Sequence, residues 1–301
     1  MSLAVWFRVI RVKFLLSSII AVSLGLTLSY WQRQELDIIH AAITFGGVIA
    51  LHASVDLLND FWDYKRGIDT LTKRTKFSGG TGVLPEGLLK PSHVYWAGVI
   101  SLILGSAAGI YFVVSYGWVI AAILGFAILS IYFYSTKIVD SGLGEIFVGI
   151  KGTMIVLGTV YIQTQTIHLQ DVPAGIIVGT LSAFVLYITS FPDHDADKEK
   201  GRKTLVVVLG KKRAARLFWV FPIIVYLIIL GGAALGMFSL FCLIAFATAP
   251  LAVRTGLRLG RSLDDIDRFI PIMRSTLVFS RITGVLFIAG FLIQIMHFLN
   301  D

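Results

Sequence analysis

The chain has 301 residues, of which 56% are hydrophobic and only 15% charged, and its mean hydropathy is +0.82. This composition excludes an ordinary soluble globular domain. The net charge of +8 does not indicate nucleic-acid binding, because the basic residues cluster in the polar stretches between long apolar segments. We therefore expect an integral membrane protein that is surrounded by membrane lipid and has no nucleic-acid partner.

Long apolar segments predict membrane-spanning helices, because about 20 apolar residues cross the hydrocarbon core of a bilayer. The fold class is therefore all-α, a polytopic membrane protein with nine transmembrane helices in a bundle. The only cysteine, Cys242, lies inside an apolar segment and leaves no disulfide within the chain. The nine segments are at about 14–31, 37–58, 94–115, 117–135, 144–163, 172–191, 216–233, 235–253 and 276–298.

The distribution of basic residues predicts how the chain is oriented. With the N-terminus in the cytoplasm, 23 of the 26 Lys and Arg residues fall in inside segments. Only Arg33 falls outside, while Lys151 and Arg281 lie within spans. By the positive-inside rule this predicts a multi-pass protein of the cell membrane, with a cytoplasmic N-terminus and the C-terminus outside.

Two acidic clusters with the same spacing lie where apolar segments end on the predicted cytoplasmic side. Asn59-Asp60-Phe61-Trp62-Asp63 runs on to Gly67, Asp193-His194-Asp195-Ala196-Asp197 runs on to Gly201, and the offset is 134 residues throughout. Carboxylates at a membrane edge are costly unless a cation neutralises them, so they indicate a functional site. We interpret 1–301 as a single domain with repeated halves at about 14–135 and 144–253, followed by the ninth helix.

The residue types in the clusters predict the ligand. Carboxylate and amide oxygens without a His/Cys set suit a hard cation such as Mg²⁺, which completes its shell with water and substrate phosphates. A solvated helix end would explain one cluster, but the repeated spacing favours a shared metal–diphosphate site. Gly79–Gly82 is interpreted as a flexible loop rather than a phosphate cradle, and His52 as a hydrogen-bonded interior residue. The bases available for a phosphorylated ligand are Lys65, Arg66, Lys137, Lys198, Lys200, Arg202 and Lys203.

At these residues the chain resembles the UbiA superfamily of intramembrane prenyltransferases, whose motifs are N-D-x-x-D-x-x-x-D and D-x-x-x-D. The final Asp of the first motif is absent from its expected place, Gly67, and Asp69 stands in for it two residues later. The resemblance implies two Mg²⁺ ions at the site. The metal ligands that it implies are Asn59, Asp60, Asp63, Asp69, Asp193 and Asp197.

Further motifs carry the resemblance beyond the acidic clusters. Tyr134-Ser135-Thr136-Lys137 resembles the family's Tyr/Lys loop, and Gly201–Leu205 resembles its basic stretch after the second motif. Asp140 and Glu145 are candidate bases. The resemblance thus implies catalytic roles for Tyr134, Lys137 and Asp140. The substrate-binding residues that it implies are Arg66, Lys137, Lys198, Arg202 and Lys203.

Asn59–Asp69 and Gly142–Val148 look most like the menaquinone branch, the 1,4-dihydroxy-2-naphthoate prenyltransferases. This implies Mg²⁺-dependent transfer of a polyprenyl group from an allylic isoprenyl diphosphate to a lipophilic or aromatic acceptor in lipid-quinone biosynthesis. Transfer to 4-hydroxybenzoate, a glycerol-phosphate lipid or a porphyrin-type acceptor is the nearer alternative. A small-molecule transporter is the other one, although transporter sites lie near the bilayer midplane and these clusters lie at one face.

Overall fold

The protein is described by a computed structural model that covers residues 2–69, 71 and 74–300, and this part of the chain is a bundle of helices. Eight of its helices are long and apolar enough to cross a membrane. A ninth, Trp118–Phe133, is apolar but only 16 residues long. The prediction of an all-α multi-pass membrane protein is confirmed. The eight spans are Val12–Arg33, Ile38–Lys65, Pro91–Tyr116, Gly144–Thr164, Asp171–Thr189, Lys211–Ala234, Leu240–Leu259 and Ile266–His297.

The individual helices are numbered here in chain order. The span Lys211–Ala234 consists of two helices, and Leu240–Leu259 begins as a 3₁₀ segment, Leu240–Thr248. The helices are α1 (Leu3–Val9), α2 (Val12–Arg33), α3 (Ile38–Lys65), α4 (Pro91–Tyr116), α5 (Trp118–Phe133), α6 (Gly144–Thr164), α7 (Asp171–Thr189), α8 (His194–Glu199), α9 (Leu205–Leu209), α10 (Lys211–Leu217), α11 (Val220–Ala234), α12 (Ala249–Leu259) and α13 (Ile266–Asn300).

The last two spans extend further than hydropathy predicts. The span that begins at Leu240 runs to Leu259 rather than 253, and α13 begins at Ile266 rather than about 276 and continues through Pro271. The stretch between the last two predicted segments, 254–275, therefore shrinks to a loop of residues 260–265. Basic side chains on the exposed face of α12 interrupt the apolar pattern without breaking the helix, because a helix needs only one apolar face to pack.

The two acidic clusters sit on different kinds of element. The first cluster lies on the last turns of α3, as expected. The second cluster does not extend its transmembrane helix, because α7 ends at Thr189 and Asp193 precedes the separate helix α8. Pro192 lies at this break, and proline disfavours a helical conformation in the residue before it.

Close packing of α6 on α7 fixes the face that α6 turns toward the centre of the bundle. A Cβ atom added at Gly179 would lie 2.2 Å from the carbonyl oxygen of Gly149, and one added at Gly152 would lie 2.8 Å from Cα of Gly179. Small residues at such contacts let transmembrane helices approach backbone to backbone. Residues next to these glycines, including Lys151, consequently have a fixed direction.

The segment that follows α3 is held against α1 by polar contacts. Arg8 Nε donates to the carbonyl oxygen of Thr81 at 2.8 Å, and Glu86 accepts hydrogen bonds from both Arg8 and Arg74. These hydrogen bonds lower the pKa of Glu86 to about 2. The segment Gly79–Gly82, interpreted from the sequence as a flexible loop, thus has polar contacts both with α1 and, through its own backbone, with the acidic clusters.

Candidate active site

A cavity of about 210 Å³ lies between the ends of α2, α3, α6 and α7, on the side where both acidic clusters lie. Its walls combine carboxylates with apolar and aromatic side chains such as Phe14, Ile131, Phe147 and Ile155. Five of the six predicted metal ligands line it, and Asp60 does not. The five are Asn59, Asp63, Asp69, Asp193 and Asp197.

The first cluster is ordered by helix geometry. Residues four apart lie on one face of a helix, so Asn59 and Asp63 are neighbours on α3. Asn59 Nδ2 donates to Asp63 Oδ2 at 2.9 Å. Asp63 is buried, and its other oxygen, Oδ1, has no hydrogen-bond partner among the described residues.

Arg202 links the first cluster to the second. Its Nη1 donates to Asp63 Oδ2 at 3.0 Å and lies 3.7 Å from Asp197 Oδ1. The chain reaches this position through Gly201, which has a φ of 75°, and the Arg202 N–H donates to the Asp197 carbonyl at 2.8 Å. Burial disfavours the charged guanidinium, but Asp63 and Asp197 outweigh it and raise the pKa of Arg202. The two clusters thus share one buried cation.

Asp60 makes a different set of contacts from the other five predicted ligands. It is fully buried, and its two oxygens accept hydrogen bonds from the Thr81 N–H at 3.1 Å and from Thr81 Oγ1 at 2.8 Å. Arg11 Nη2 lies 3.7 Å from Asp60 Oδ1. Asp60 in this arrangement anchors the glycine-rich segment, and its role as a metal ligand stays a prediction.

The backbone of the glycine-rich segment Gly79–Gly82 lies against the carboxylates of Asp193 and Asp69. The Gly79 N–H donates to Asp193 Oδ2 at 3.2 Å. Gly80 has a φ of 69°, and a Cβ atom there would lie 2.4 Å from the carboxylate of Asp69. Glycine is therefore required at this position both for its backbone conformation and for the close approach of Asp69.

Three carboxyl groups outside the spans have raised pKa values, with burial as the main cause. The pKa is raised to about 6 for Asp193, to about 7 for Asp197 and to about 8 for Asp69. For Asp69 the neighbouring Asp63 adds to the effect of burial. The buried carboxyl groups outnumber Arg11 and Arg202, which pair with the acidic clusters, and this leaves negative charge that an additional cation would neutralise.

The buried oxygens also test whether this donor set suits a divalent cation. Asp63 Oδ1, Asp69 Oδ2, Asp193 Oδ1 and Asp197 Oδ1 all lack a hydrogen-bond partner in the described part of the chain. In the same part, no three His, Cys, Asp or Glu side chains are grouped closely enough to hold one ion. The donor set therefore suits an ion that takes one or two carboxylates and completes its shell with substrate oxygens, which is typical of Mg²⁺.

The residues predicted to be catalytic are not all at the cavity. Tyr134 lines it, and burial raises the pKa of its hydroxyl group. Lys137 is exposed, with Nζ 5.0 Å from the centre of the Phe133 ring, and the side chains of Ser135 and Thr136 lie outside the described part. Asp140 Oδ1 accepts a hydrogen bond from Arg66 Nη2 at 2.9 Å, away from the cavity.

Among the predicted substrate-binding residues, Arg202 alone has a side chain that lines the cavity. Lys198 and Lys203 are exposed, and Arg66 pairs with Asp140. The roles assigned to these residues stay predictions. In their place the structure brings Arg11 to the cavity, a residue that sequence reasoning used only as evidence for orientation.

The deeper part of the cavity is lined by polar residues to which the sequence analysis gave no role in catalysis. His52 and Asp56 on α3 and Lys151 on α6 lie there. Glu145, one of the two candidate bases, lines the cavity nearer its mouth, in the first turn of α6. Glu145 Oε1 accepts a hydrogen bond from the Leu205 N–H at 3.4 Å. The sequence could have indicated His52, Asp56 and Lys151, because ionisable residues inside membrane spans are costly in a bilayer and usually functional.

Three known proteins show what this chain is similar to. The 1,4-dihydroxy-2-naphthoate octaprenyltransferase of Bacillus subtilis is 27% identical over 81% of this chain and 78% of its own length. The enzyme of the same name from Escherichia coli is 28% identical over 95% of this chain and 94% of its own. A UbiA homolog from Archaeoglobus fulgidus, solved with DMAPP and Mg²⁺, shares the fold with a TM-score of 0.59 and 15% identity, over 94% of this chain and 98% of that one.

The family model for the UbiA prenyltransferase family matches residues 18–279, which include α3, both acidic clusters and the first turns of α13. The all-helical membrane fold agrees with this match. The chain belongs to the UbiA prenyltransferase family and is a membrane prenyltransferase.

Proposed function

We propose that this enzyme transfers a polyprenyl group from an allylic isoprenyl diphosphate to a 1,4-dihydroxy-2-naphthoate-like acceptor, with Mg²⁺ as its cofactor. The acceptor is taken from the activity named for the Bacillus subtilis and Escherichia coli relatives, each of which aligns over most of this chain. The metal and the class of donor are supported by the Archaeoglobus fulgidus homolog of the same fold, which was solved with DMAPP and Mg²⁺.

The observation that carries the proposal is the meeting of the two acidic clusters in one cavity. Asp63 and Asp197 lie 134 residues apart in sequence, yet both contact Arg202. A diphosphate bound here would meet a buried guanidinium and a set of buried carboxylate oxygens that a divalent cation would satisfy.

Magnesium, when bound by Asp63 and Asn59 from one cluster and Asp193 and Asp197 from the other, would offset the charge that builds on the diphosphate leaving group. Arg202 and Arg11 would bind diphosphate oxygens that the metal leaves uncovered. Both arginines line the cavity. With diphosphate and metal present, Arg202 would exchange part of its contact with the carboxylates for contact with the substrate.

The apolar part of the cavity supports the second half of the reaction. An allylic cation is destroyed by water, so its prenyl chain must lie in a dry environment. Phe147 and Ile155 on α6, with Ile131 on α5 and Phe14 on α2, provide apolar surface next to the acidic clusters. Aromatic faces also stabilise positive charge.

The test is a transfer assay on purified full-length protein with a labelled allylic diphosphate, Mg²⁺ and four acceptors: 1,4-dihydroxy-2-naphthoate, 4-hydroxybenzoate, a glycerol-phosphate lipid and a porphyrin. We expect product with the naphthoate, and no product after chelation of the metal. Asp63→Asn and Asp197→Asn should each lower the rate more than about 100-fold, equivalent to roughly 2.7 kcal/mol, because each removes a charged ligand.

Asp195→Asn is the matched control, since Asp195 belongs to the second cluster but its side chain is 81% exposed. It accepts hydrogen bonds from His194 and Lys211 rather than facing the cavity. Its rate should stay within about threefold of the wild type. Transfer to a different acceptor would overturn the choice of acceptor, and full turnover in the presence of chelator would overturn the metal site.

A further inference from the structure

A second polar group of side chains lies deeper in the cavity than the acidic clusters. Its members are Ser18 on α2, His52 and Asp56 on α3, and Lys151 on α6, and all four line the cavity. We refer to these four residues as the inner polar cluster. Ionisable side chains inside a transmembrane bundle are costly, so the inner polar cluster requires an explanation beyond packing.

The contacts within the inner polar cluster leave a carboxylate oxygen of Asp56 and the ammonium group of Lys151 without a hydrogen bond to any described residue. Ser18 Oγ lies 2.6 Å from His52 Nδ1, and His52 Nε2 lies 3.7 Å from Asp56 Oδ2. Asp56 Oδ2 is buried and has no hydrogen-bond partner in the described part of the chain. Within that part, Lys151 also has no hydrogen bond and no ion pair within 4.0 Å.

A structural ion pair does not account for this arrangement. Buried Lys and Asp side chains that serve only to neutralise each other would be in direct contact, because separation leaves both partly desolvated and unpaired. Here Asp56 on α3 and Lys151 on α6 both line the cavity, and they form no ion pair with each other within 4.0 Å. Next to Lys151, Gly152 packs closely against α7, where an added Cβ would lie 2.8 Å from Cα of Gly179.

The depth of the inner polar cluster matches the place of an acceptor. Asp56 precedes Asp63 by seven residues on α3, so it lies about 10 Å further into the bundle at 1.5 Å per residue. Lys151 is likewise seven residues into α6 from its cytoplasmic end. A ring placed between the inner polar cluster and the acidic clusters would lie beside the carbon that a bound allylic diphosphate presents.

We infer that the inner polar cluster binds the aromatic acceptor through an anionic oxygen, with Lys151 as the cation that receives a carboxylate or phenolate, and with Asp56 accepting a hydrogen bond from a ring hydroxyl group. This rests on the proposed function and specifies the acceptor class as an acidic hydroxy-arene. Arg281, the other cation within a span at this cavity, is less suited because its Nη2 already donates to the Lys13 carbonyl at 2.5 Å.

The first test measures binding without turnover, by fluorescence titration of purified full-length protein with 1-hydroxy-2-naphthoate and with 1-naphthol. We expect the wild type to bind the anionic probe at least tenfold more tightly than the neutral one. Lys151→Met keeps the length of the side chain and removes its charge. It should weaken naphthoate binding more than tenfold and change naphthol binding less than threefold, while Lys151→Arg should retain the preference for the anion.

Controls separate a local effect from misfolding. Lys211→Met removes a cation that pairs with Asp195 away from the cavity, and it should leave both titrations unchanged. Binding of an unreactive thiolo analogue of geranyl diphosphate should be the same in Lys151→Met as in the wild type. An unchanged preference for naphthoate in Lys151→Met would overturn the inference.

The second test uses transfer kinetics, and it distinguishes failure of this inference from failure of the proposed function. Lys151→Met should raise KM for the naphthoate acceptor more than tenfold and leave KM for the donor within twofold. Wild-type protein that binds naphthoate through Lys151 but transfers nothing would contradict the proposed function alone. Normal transfer with an unchanged acceptor KM in Lys151→Met would contradict the inference alone.

Discussion

Asp69 illustrates how a single residue can reach a site from an unexpected position in the sequence. The chain leaves α3 after Lys65 and turns through Gly67, which has a φ of 70°, so Asp69 folds back to the cavity under Gly80. Its carboxyl group is buried next to Asp63 and Asp60, which accounts for a pKa raised to about 8. In the unfolded chain the pKa of an Asp side chain is about 3.9.

This difference predicts a pH dependence of stability. Folded Asp69 keeps its proton up to about pH 8 while the unfolded chain loses it near pH 4, so its contribution to stability is complete below about pH 4 and is lost as the pH rises toward 8. We expect the Tm of metal-free protein to fall from pH 5 to pH 8.5. Asp69→Asn should make this fall smaller, as measured by tryptophan fluorescence in detergent.

Asp195 provides a control, because its pKa is shifted in the opposite direction from that of Asp69. The hydrogen bond from His194 and the contact with Lys211 lower the pKa of Asp195, so its ionised form favours folding at higher pH. Asp195→Asn should therefore not reduce the decline of Tm with pH. An Asp69→Asn protein whose Tm follows the wild-type pH profile would show that Asp69 is ionised in the folded state.

At the scale of an element, the glycine-rich segment Gly79–Gly82 connects the two acidic clusters through backbone contacts. Its Gly79 N–H reaches Asp193, and Thr81 reaches Asp60. Substituting alanine for a glycine with positive φ costs roughly 1–2 kcal/mol wherever it occurs. At Gly80, however, the new Cβ would also displace the carboxylate of Asp69.

Gly80→Ala should therefore lower kcat/KM for prenyl transfer by more than about tenfold, the equivalent of roughly 1.4 kcal/mol in the transition state. The matched variant is Gly87→Ala, because Gly87 has nearly the same φ of 67° but no atom within 4 Å of the added Cβ. Both variants should lose similar thermal stability, whereas only Gly80→Ala should lose activity. Equal losses of activity would mean that backbone strain, and not the contact with Asp69, is responsible.

At the scale of the whole molecule, we propose that the N-terminus is cytoplasmic, which places the cavity mouth and both acidic clusters on the cytoplasmic side. The proposal rests on the 23 basic residues in segments predicted to lie inside. It predicts opposite locations for two loops, namely 165–170 between α6 and α7 and 260–265 between α12 and α13. The first should be outside and the second inside.

Cysteine labelling of intact cells with an impermeant maleimide tests this orientation. Cys242 is fully buried, and replacing it with Ser gives a background without cysteine. On that background Leu169→Cys, at a position that is 72% exposed, should react in intact cells. Asp264→Cys should react only after the membrane is made permeable. The reverse pattern would invert the topology and place the acidic clusters outside.

The sequence by itself determined the class of the molecule, the order of its spans and the existence of two matched acidic clusters. Each span satisfies its own backbone hydrogen bonds, so its position depends on local hydropathy, which can be read directly. Helix periodicity likewise placed Asn59 beside Asp63. The apolar segment 172–191 ends just before Pro192, so hydropathy alone does not show whether the helix continues into the polar residues of the second cluster.

Only the tertiary structure decided which charged residues meet. Arg202 was one of seven basic residues considered for the diphosphate, and packing selected it by bringing Asp63 and Asp197 to the same guanidinium. Asp56 and Lys151 are 95 positions apart and line the same cavity because α3 and α6 both border it. Such contacts depend on the rotation and separation of helices in the bundle, and those are set by packing against neighbouring helices rather than by any local property of a span.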